Sequence, residues 1–181
     1  SCTTNCLAPL VKVLHDNWTV EKGTMTTVHG YTMSQKILDT AHSKATRGRA
    51  AAANIVPTTT GAAAAIGLVM PELDGKLDGM AVRAPIPDGS LVDLSVKLEK
   101  KTSVDQVNAA FKKAAESSMK DALGYNEDPI VSSDIIGCEN GSLFDANYTK
   151  VIDGDWVKVL SWYDNEASFT YQCVRLLESI I

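Results

Sequence analysis

Nowhere in these 181 residues is there a run approaching the ~20 consecutive apolar residues of a membrane-spanning helix, so no membrane partner is expected. Positive charge is not in excess either. The 17 Lys and Arg against 22 Asp and Glu leave a net charge of −5, which gives no reason to expect nucleic acid or an anionic surface as a partner. Cysteine is sparse, with four residues and no paired CxxC spacing, so neither a zinc site nor a disulfide scaffold is read and no metal is expected. Cys2 and Cys6 stand one helical turn apart, where a disulfide would crosslink almost nothing; the thiols are read as reduced and the compartment as cytoplasmic. The opening residues do not form a signal-peptide pattern. No G-x-G-x-x-G follows a strand pattern, so no dinucleotide-binding unit is read. Internal repeats and low-complexity linkers are missing too. What remains, 45% hydrophobic and 22% charged, is the composition of one globular domain long enough to bury a full core.

The stretch that stands out is Ser1-Cys2-Thr3-Thr4-Asn5-Cys6, which opens a helix-periodic run of Leu7, Leu10, Val11 and Leu14. A thiol in the first turn of a helix faces unpaired backbone N–H groups and the positive end of the helix dipole. Both favour thiolate, the nucleophilic form. Ser1 and Thr3 add hydroxyls suited to an anion or a developing oxyanion. A cysteine taken at random is more often a buried structural residue; position and polar company argue otherwise for Cys2. The helix is expected to run to about Asp16-Asn17, with a possible bend at Pro9.

Residues 24 to 32 are rich in β-branched and aromatic side chains and read as a strand, with His29 near its end. Residues 33 to 56 lack a clean period and read as a loop holding Lys36, Lys44, Arg47 and Arg49. Pro57 to Gly61, followed by four alanines, reads as a polar turn feeding a helix, whose first N–H groups suit an anion. Met80 to Pro87 and Leu91 to Leu98 read as two strands joined at Asp88-Gly89 as a hairpin. Ser103-Val104-Asp105-Gln106 has the form of a capping box before an amphipathic helix. Residues 117 to 141 read as irregular. Strands are expected over Ser142 to Ala146, Tyr148 to Ile152 and Trp156 to Tyr163. A final helix is expected from Glu166, with an apolar stripe of Phe169, Cys173, Leu176, Leu177 and Ile180.

Four motifs in order, Ser-Cys-Thr-Thr-Asn-Cys, His29-Gly30-Tyr31-Thr32, Thr60-Gly61-Ala62-Ala63 and Trp162-Tyr163-Asp164-Asn165-Glu166, span essentially the whole chain. Together they resemble the catalytic part of the phosphorylating glyceraldehyde-3-phosphate dehydrogenase family. The resemblance implies an α+β fold with a large mixed, mainly antiparallel sheet and helices on one face. It implies a catalytic domain over residues 1–165 and a C-terminal helix over 166–181. In the family that helix packs on an N-terminal NAD-binding half, and a fragment or excised domain without that half is therefore expected here.

By the same resemblance, His29 holds the Cys2 thiolate as an ion pair, Cys2 attacks the aldehyde of D-glyceraldehyde 3-phosphate, and His29 then takes the proton as hydride leaves, as a general base. Thr32 and Arg83 hold the substrate phosphate. Ser1, Thr3, Thr60 and Gly61, with Arg47 nearby, hold the attacking inorganic phosphate. Asn165 holds the nicotinamide carboxamide. The implied cofactor is NAD, with NADP open because Thr40-Ala41 replaces a bulkier, proline-ending pair common in NAD-specific relatives; the implied assembly is a homotetramer of full-length subunits. Phe169 stands in place of the usual tyrosine and Ala167 in place of a larger residue. Three other readings remain at this point: an erythrose-4-phosphate dehydrogenase, a non-catalytic assembly module, and a cysteine–histidine hydrolase using water. The isolated chain is expected to be inactive.

Overall fold

The computed structural model describes residues 1–181. The chain opens on helix α1 (Cys2–Trp18), then strands β1 (Val20–Gly30) and β2 (Val56–Thr59), a four-residue helix α2 (Ile66–Val69), and strands β3 (Leu77–Ala84) and β4 (Ser90–Leu98). Helix α3 (Val104–Glu116) is followed by β5 (Leu123–Asn126), β6 (Ser142–Ile152), β7 (Trp156–Tyr163) and the closing helix α4 (Ala167–Ser179). The seven strands form one mixed sheet in the order β2-β3-β1-β4-β7-β6-β5. Only β1–β3 and β5–β6 run parallel; the other four pairings are antiparallel. The expected α+β fold is what forms.

Alternation decides how the sheet is covered. In β4, Val92, Leu94, Val96 and Leu98 are buried, while Asp93, Ser95 and Lys97 look the other way, half-exposed. Side chains on a strand alternate faces, so a strand with one apolar set must place a layer over that set. Helix α1 is that layer for β1, β4, β6 and β7, and α3 lies beside it over β5 and β6. Leu7, Leu10, Val11 and Leu14 of α1 are fully buried, as their spacing requires. At the other end of the sheet the Phe111 ring stacks on Phe144 with centroids 3.9 Å apart. The capping box of α3 is present in full: Ser103 accepts from the Gln106 N–H and Gln106 reaches back to the Ser103 N–H.

Three local expectations change. Strands β3 and β4 are not a hairpin, because β1 lies between them. The connection at residues 85–89 arches over the end of β1, where the Tyr31 N–H donates to the Ile86 carbonyl. Gly30 permits this crossing, since a Cβ there would meet the Ile86 oxygen at 3.0 Å. The polar turn after Pro57 does not feed a long helix: Pro57 to Thr59 belong to β2, residues 62–65 form turns, and α2 has one turn. Finally, Ser142 to Ile152 is one strand with an irregularity between Asp145 and Lys150, and the segment before it contains β5, paired in parallel with β6.

Candidate active site

Helix α1 and strand β1 bring the central pair together. Ser1 caps α1, its Oγ accepting the Thr4 N–H at 3.1 Å, and Cys2 is the first residue of the helix. His29, buried one residue from the end of β1, places Nε2 3.3 Å from Cys2 Sγ. Its Nδ1 lies 2.7 Å from the Gly30 carbonyl oxygen. That carbonyl only accepts, while Arg83 Nη1, 2.9 Å from the same nitrogen, only donates, so the two neighbours of Nδ1 favour opposite tautomers. The Tyr163 ring meets the imidazole edge-on at 5.8 Å.

Behind the pair runs a buried hydroxyl chain. Tyr163 Oη lies 2.8 Å from both Thr3 Oγ1 and Thr27 Oγ1. Thr27 donates to the Leu91 carbonyl, so it accepts from Tyr163, and Tyr163 in turn accepts from Thr3. The Thr3 hydroxyl is thus turned into the core, although the residue stands in the first turn of the helix.

Two arginines flank the imidazole side. Arg83 is the β3 residue in register with His29. Its Nη1 stands 2.9 Å from His29 Nδ1, donates to the Gly30 carbonyl at 2.9 Å and reaches Thr32 Oγ1 at 3.4 Å. Thr32 pairs with Ser34 at 2.9 Å, and Ser34 accepts from Arg47 Nη1 at 2.9 Å. Arg47 Nε donates to Thr58 Oγ1 at 3.0 Å, and Lys44 donates to Thr59. The long loop after β1 is therefore pinned across β2, with its cations at the mouth.

Beside α1, Thr60 Oγ1 accepts the Ala62 N–H, and Thr4 Oγ1 donates weakly to the Ala62 carbonyl at 3.5 Å. Gly61 is open, with no atom within 4 Å of where a Cβ would lie. Asn165 lies on the remaining side. Its Oδ1 accepts from Ser90 Oγ, which also accepts the Gly30 N–H, so Asn165 is tied to the end of the histidine strand. Asp164 sets this corner. Burial works against its ionised form, but the N–H groups of Gly137, Ala167 and Glu166 hold the carboxylate below its usual range. The site is an open mouth; the chain's clefts of about 450 Å³ between α1 and α3 and about 530 Å³ beside β5 lie elsewhere.

Burial acts on both members of the pair. The helix start was expected to favour a Cys2 thiolate, yet burial pushes the thiol up, and its contacts with Thr3 and Arg83 offset only part of that. His29 is pushed down to about 4, by burial first and then by the Arg83 charge. The helix dipole contributes little over ~1 kcal/mol at exposed sites, and desolvation outweighs it here.

Of the ten residues expected at the site, Cys2, His29, Arg83, Thr32 and Arg47 are linked through direct contacts and Ser34, Asn165 is tied to the end of β1 through Ser90, Ser1, Thr60 and Gly61 lie at the start of α1 and on the turn beside it, and the Thr3 hydroxyl points into the core instead. Ser34, Thr58 and Ser90, which position them, carried no motif. Tyr163 stood within a motif but had no role assigned, and strand alternation alone does not say that its hydroxyl bridges two threonines.

A helix-borne thiol held against a strand-borne imidazole defines a domain of the cysteine–histidine class. The sequence profile described as "Glyceraldehyde 3-phosphate dehydrogenase, C-terminal domain" matches residues 1–165. The chain belongs to that family. It is 60% identical over 183 aligned residues to a glyceraldehyde-3-phosphate dehydrogenase of Streptococcus pyogenes serotype M1, covering 98% of this chain and 53% of that protein. A glyceraldehyde-3-phosphate dehydrogenase of Mycobacterium bovis BCG is 58% identical over 177 residues, covering 98% of this chain and 52% of its own. The chain spans about half the length of the curated relatives it matches.

Proposed function

We propose that this chain is the catalytic portion of a phosphorylating glyceraldehyde-3-phosphate dehydrogenase, an oxidoreductase of glycolysis. The observation that carries the reading is the 3.3 Å contact between Cys2 Sγ and His29 Nε2 at a mouth lined by Arg83 and Arg47. Cys2 Sγ bonds to the aldehyde carbon of D-glyceraldehyde 3-phosphate, and the thiol proton passes by way of His29 Nε2 to the aldehyde oxygen, giving the thiohemiacetal. The same nitrogen takes the hydroxyl proton of the thiohemiacetal as its carbon is oxidised to the thioester. Inorganic phosphate then attacks the thioester carbon; the acyl phosphate leaves and the Cys2 sulfur is released. Arg83 and Thr32 hold the substrate's phosphate. Ser1, the Thr3 backbone, Thr60 and Gly61, with Arg47 nearby, hold the attacking phosphate.

The nicotinamide cofactor, NAD with NADP as the variant, supplies the hydride acceptor when bound. Asn165 fits its carboxamide in chemistry, since an amide carries both a donor and an acceptor, and Ser90 holds the Asn165 Oδ1 side. The remainder of a dinucleotide site is assigned to no residue of this chain.

Assembly is read from exposed apolar side chains. Met33, Ile37 and Leu38 are exposed on the loop after β1, Leu68 and Val69 on α2, and Val174, Leu177 and Ile181 on and after α4. Such surface marks interaction sites; full-length homotetramers and the packing of residues 166–181 on a cofactor half are the occupants this reading assigns. No helix is long and apolar enough to cross a membrane; the assigned compartment is the cytoplasm.

The test uses the one half-reaction that needs no cofactor. Mixed with 1,3-bisphosphoglycerate, the chain is expected to gain a 3-phosphoglyceroyl adduct on Cys2, seen by intact mass and peptide mapping. Absence of that adduct on a folded chain overturns the reading.

A further inference from the structure

Three strand ends meet at Ser90. It opens β4, lies opposite Tyr163 at the end of β7, and is 1% exposed. Its Oγ accepts the Gly30 N–H at 3.2 Å, from the peptide that leaves His29, and donates to Asn165 Oδ1 at 3.0 Å. A backbone N–H only donates, so the serine proton goes elsewhere, and Asn165 is its one acceptor. On the other side of the amide, Asn165 Nδ2 lies 3.4 Å from Glu166 Oε1. Turning the amide over would set Oδ1 against that carboxylate, acceptor to acceptor. It would also leave the buried serine proton with no acceptor, at the cost of a buried unpaired donor. Two contacts from different residues therefore fix the same sense of the Asn165 amide.

We propose that Ser90 is a positioning residue for the cofactor's carboxamide: its hydroxyl turns Asn165 so that the amide offers an N–H rather than an oxygen, and ties that amide to the peptide leaving His29. This rests on the reading of Asn165 as the residue that meets the nicotinamide carboxamide. An amide nitrogen carries two hydrogens, and the long contact with Glu166 engages one of them; the other is left for a carbonyl. The feature recognised on the ring substituent is thus its carbonyl oxygen, not its NH2 group.

The tie to Gly30 matters for the chemistry. Asn165 follows β7, His29 lies near the end of β1, and β4 stands between those two strands in the sheet. Ser90, the first residue of the intervening strand, sets a single oxygen between them. Oxidation of the thiohemiacetal needs the hydride acceptor and the base at one carbon and its hydroxyl. A shared oxygen holds their two supports in register, which is the second layer of contacts that a precise site requires.

The experiment reads the amide directly. Proton and nitrogen-15 signals of the Asn165 side chain, assigned with Asn165→Asp, are followed by NMR as the chain is titrated with the mononucleotides of nicotinamide, 3-acetylpyridine and thionicotinamide. The acetyl probe keeps the carbonyl and lacks the NH2; the thio probe keeps the NH2 and carries sulfur, a weaker acceptor, in place of oxygen. In wild type the nicotinamide and acetyl probes are expected to shift the Asn165 signals with Kd values within about threefold of each other, and the thio probe to bind about tenfold more weakly. Ser90→Ala is expected to weaken the nicotinamide probe about tenfold and to bring the thio probe within about threefold of it. Exchange of the Gly30 amide hydrogen should speed up in the same variant. Equal weakening of all three probes in Ser90→Ala, with their order kept, is what a merely structural serine would give, and it overturns the proposal. So does an acetyl probe that binds wild type about tenfold more weakly than the nicotinamide probe, because the amide then offers its oxygen. Should Ser90→Ala not fold, the order of the three probes on wild type decides alone. If nicotinamide mononucleotide leaves the Asn165 signals unmoved, the proposal falls together with the assignment of Asn165, while acylation of Cys2 by 1,3-bisphosphoglycerate still decides the functional reading separately.

Discussion

Cys2 and Cys6 are the same side chain on the same helix, one turn apart, and the fold treats them as opposites. Cys2 is half-buried and looks out past His29 to two arginines. Cys6 has no exposed surface and sits among Ser142 and the carbonyls of Ser161 and Trp162. Burial pushes the Cys6 thiol up to about 12, where it stays protonated and inert. A helix start is thus not what makes a thiol useful. What counts is a proton acceptor within reach and an open route for the carbon it will attack.

The largest effect should come from exchanging those fates. Cys2→Ser is expected to abolish the acyl adduct formed with 1,3-bisphosphoglycerate. Cys6→Ala should leave the adduct in place and lower stability by about 1 kcal/mol, read from urea midpoints. An adduct lost in both variants would erase the distinction between the two turns.

Removing the acceptor comes next. His29→Gln keeps a polar side chain near the thiol but no base, and Cys2 acylation should slow by about 10²–10⁴. Stopped-flow thiol consumption measures it, and an unchanged rate would mean that Cys2 needs no partner.

The same histidine gives a pH signature that the Cys6 turn lacks. It accepts a proton near 4 in the fold but near 6.5 when exposed. Between those values the unfolded chain binds more protons. Stability from this group is therefore full above pH 6.5 and falls as pH drops towards 4, by about 2–3 kcal/mol. Urea denaturation across that range should show the fall, and His29→Gln should remove its share of it.

The smallest expected change tests the wall between the two turns. Tyr163→Phe strands the buried Thr3 hydroxyl, while Thr27 keeps its bond to the Leu91 carbonyl, and should cost about 1–3 kcal/mol. The sheet itself should persist by circular dichroism.

Legibility follows the range of the interactions. The α1 stripe, the Ser103 capping box and the alternation of β4 are local, because each depends on residues within one element. The β3–β4 hairpin misreading has the opposite cause. Asp88-Gly89 between two strand patterns is a fair turn signal, but nothing local says that a strand from sixty residues earlier lies between them. Crossing above Gly30 is also what brings Arg83 into register with His29. The short α2 shows the same limit, since four alanines favour helix while β2 pairing and the turns around Gly61 claim the chain first.

The amino-acid sequence by itself determined the family, the elements with strong periodicity, and which residues carry reactive groups, because residue type and short spacing are enough for these. Only the tertiary structure decided that the thiol and imidazole meet at 3.3 Å, that Tyr163 ties Thr3 to Thr27, and that Arg83 lies against His29 Nδ1. Those outcomes depend on burial and on distances of a few ångströms between strands far apart in the chain, quantities that exist only once the sheet has closed around them.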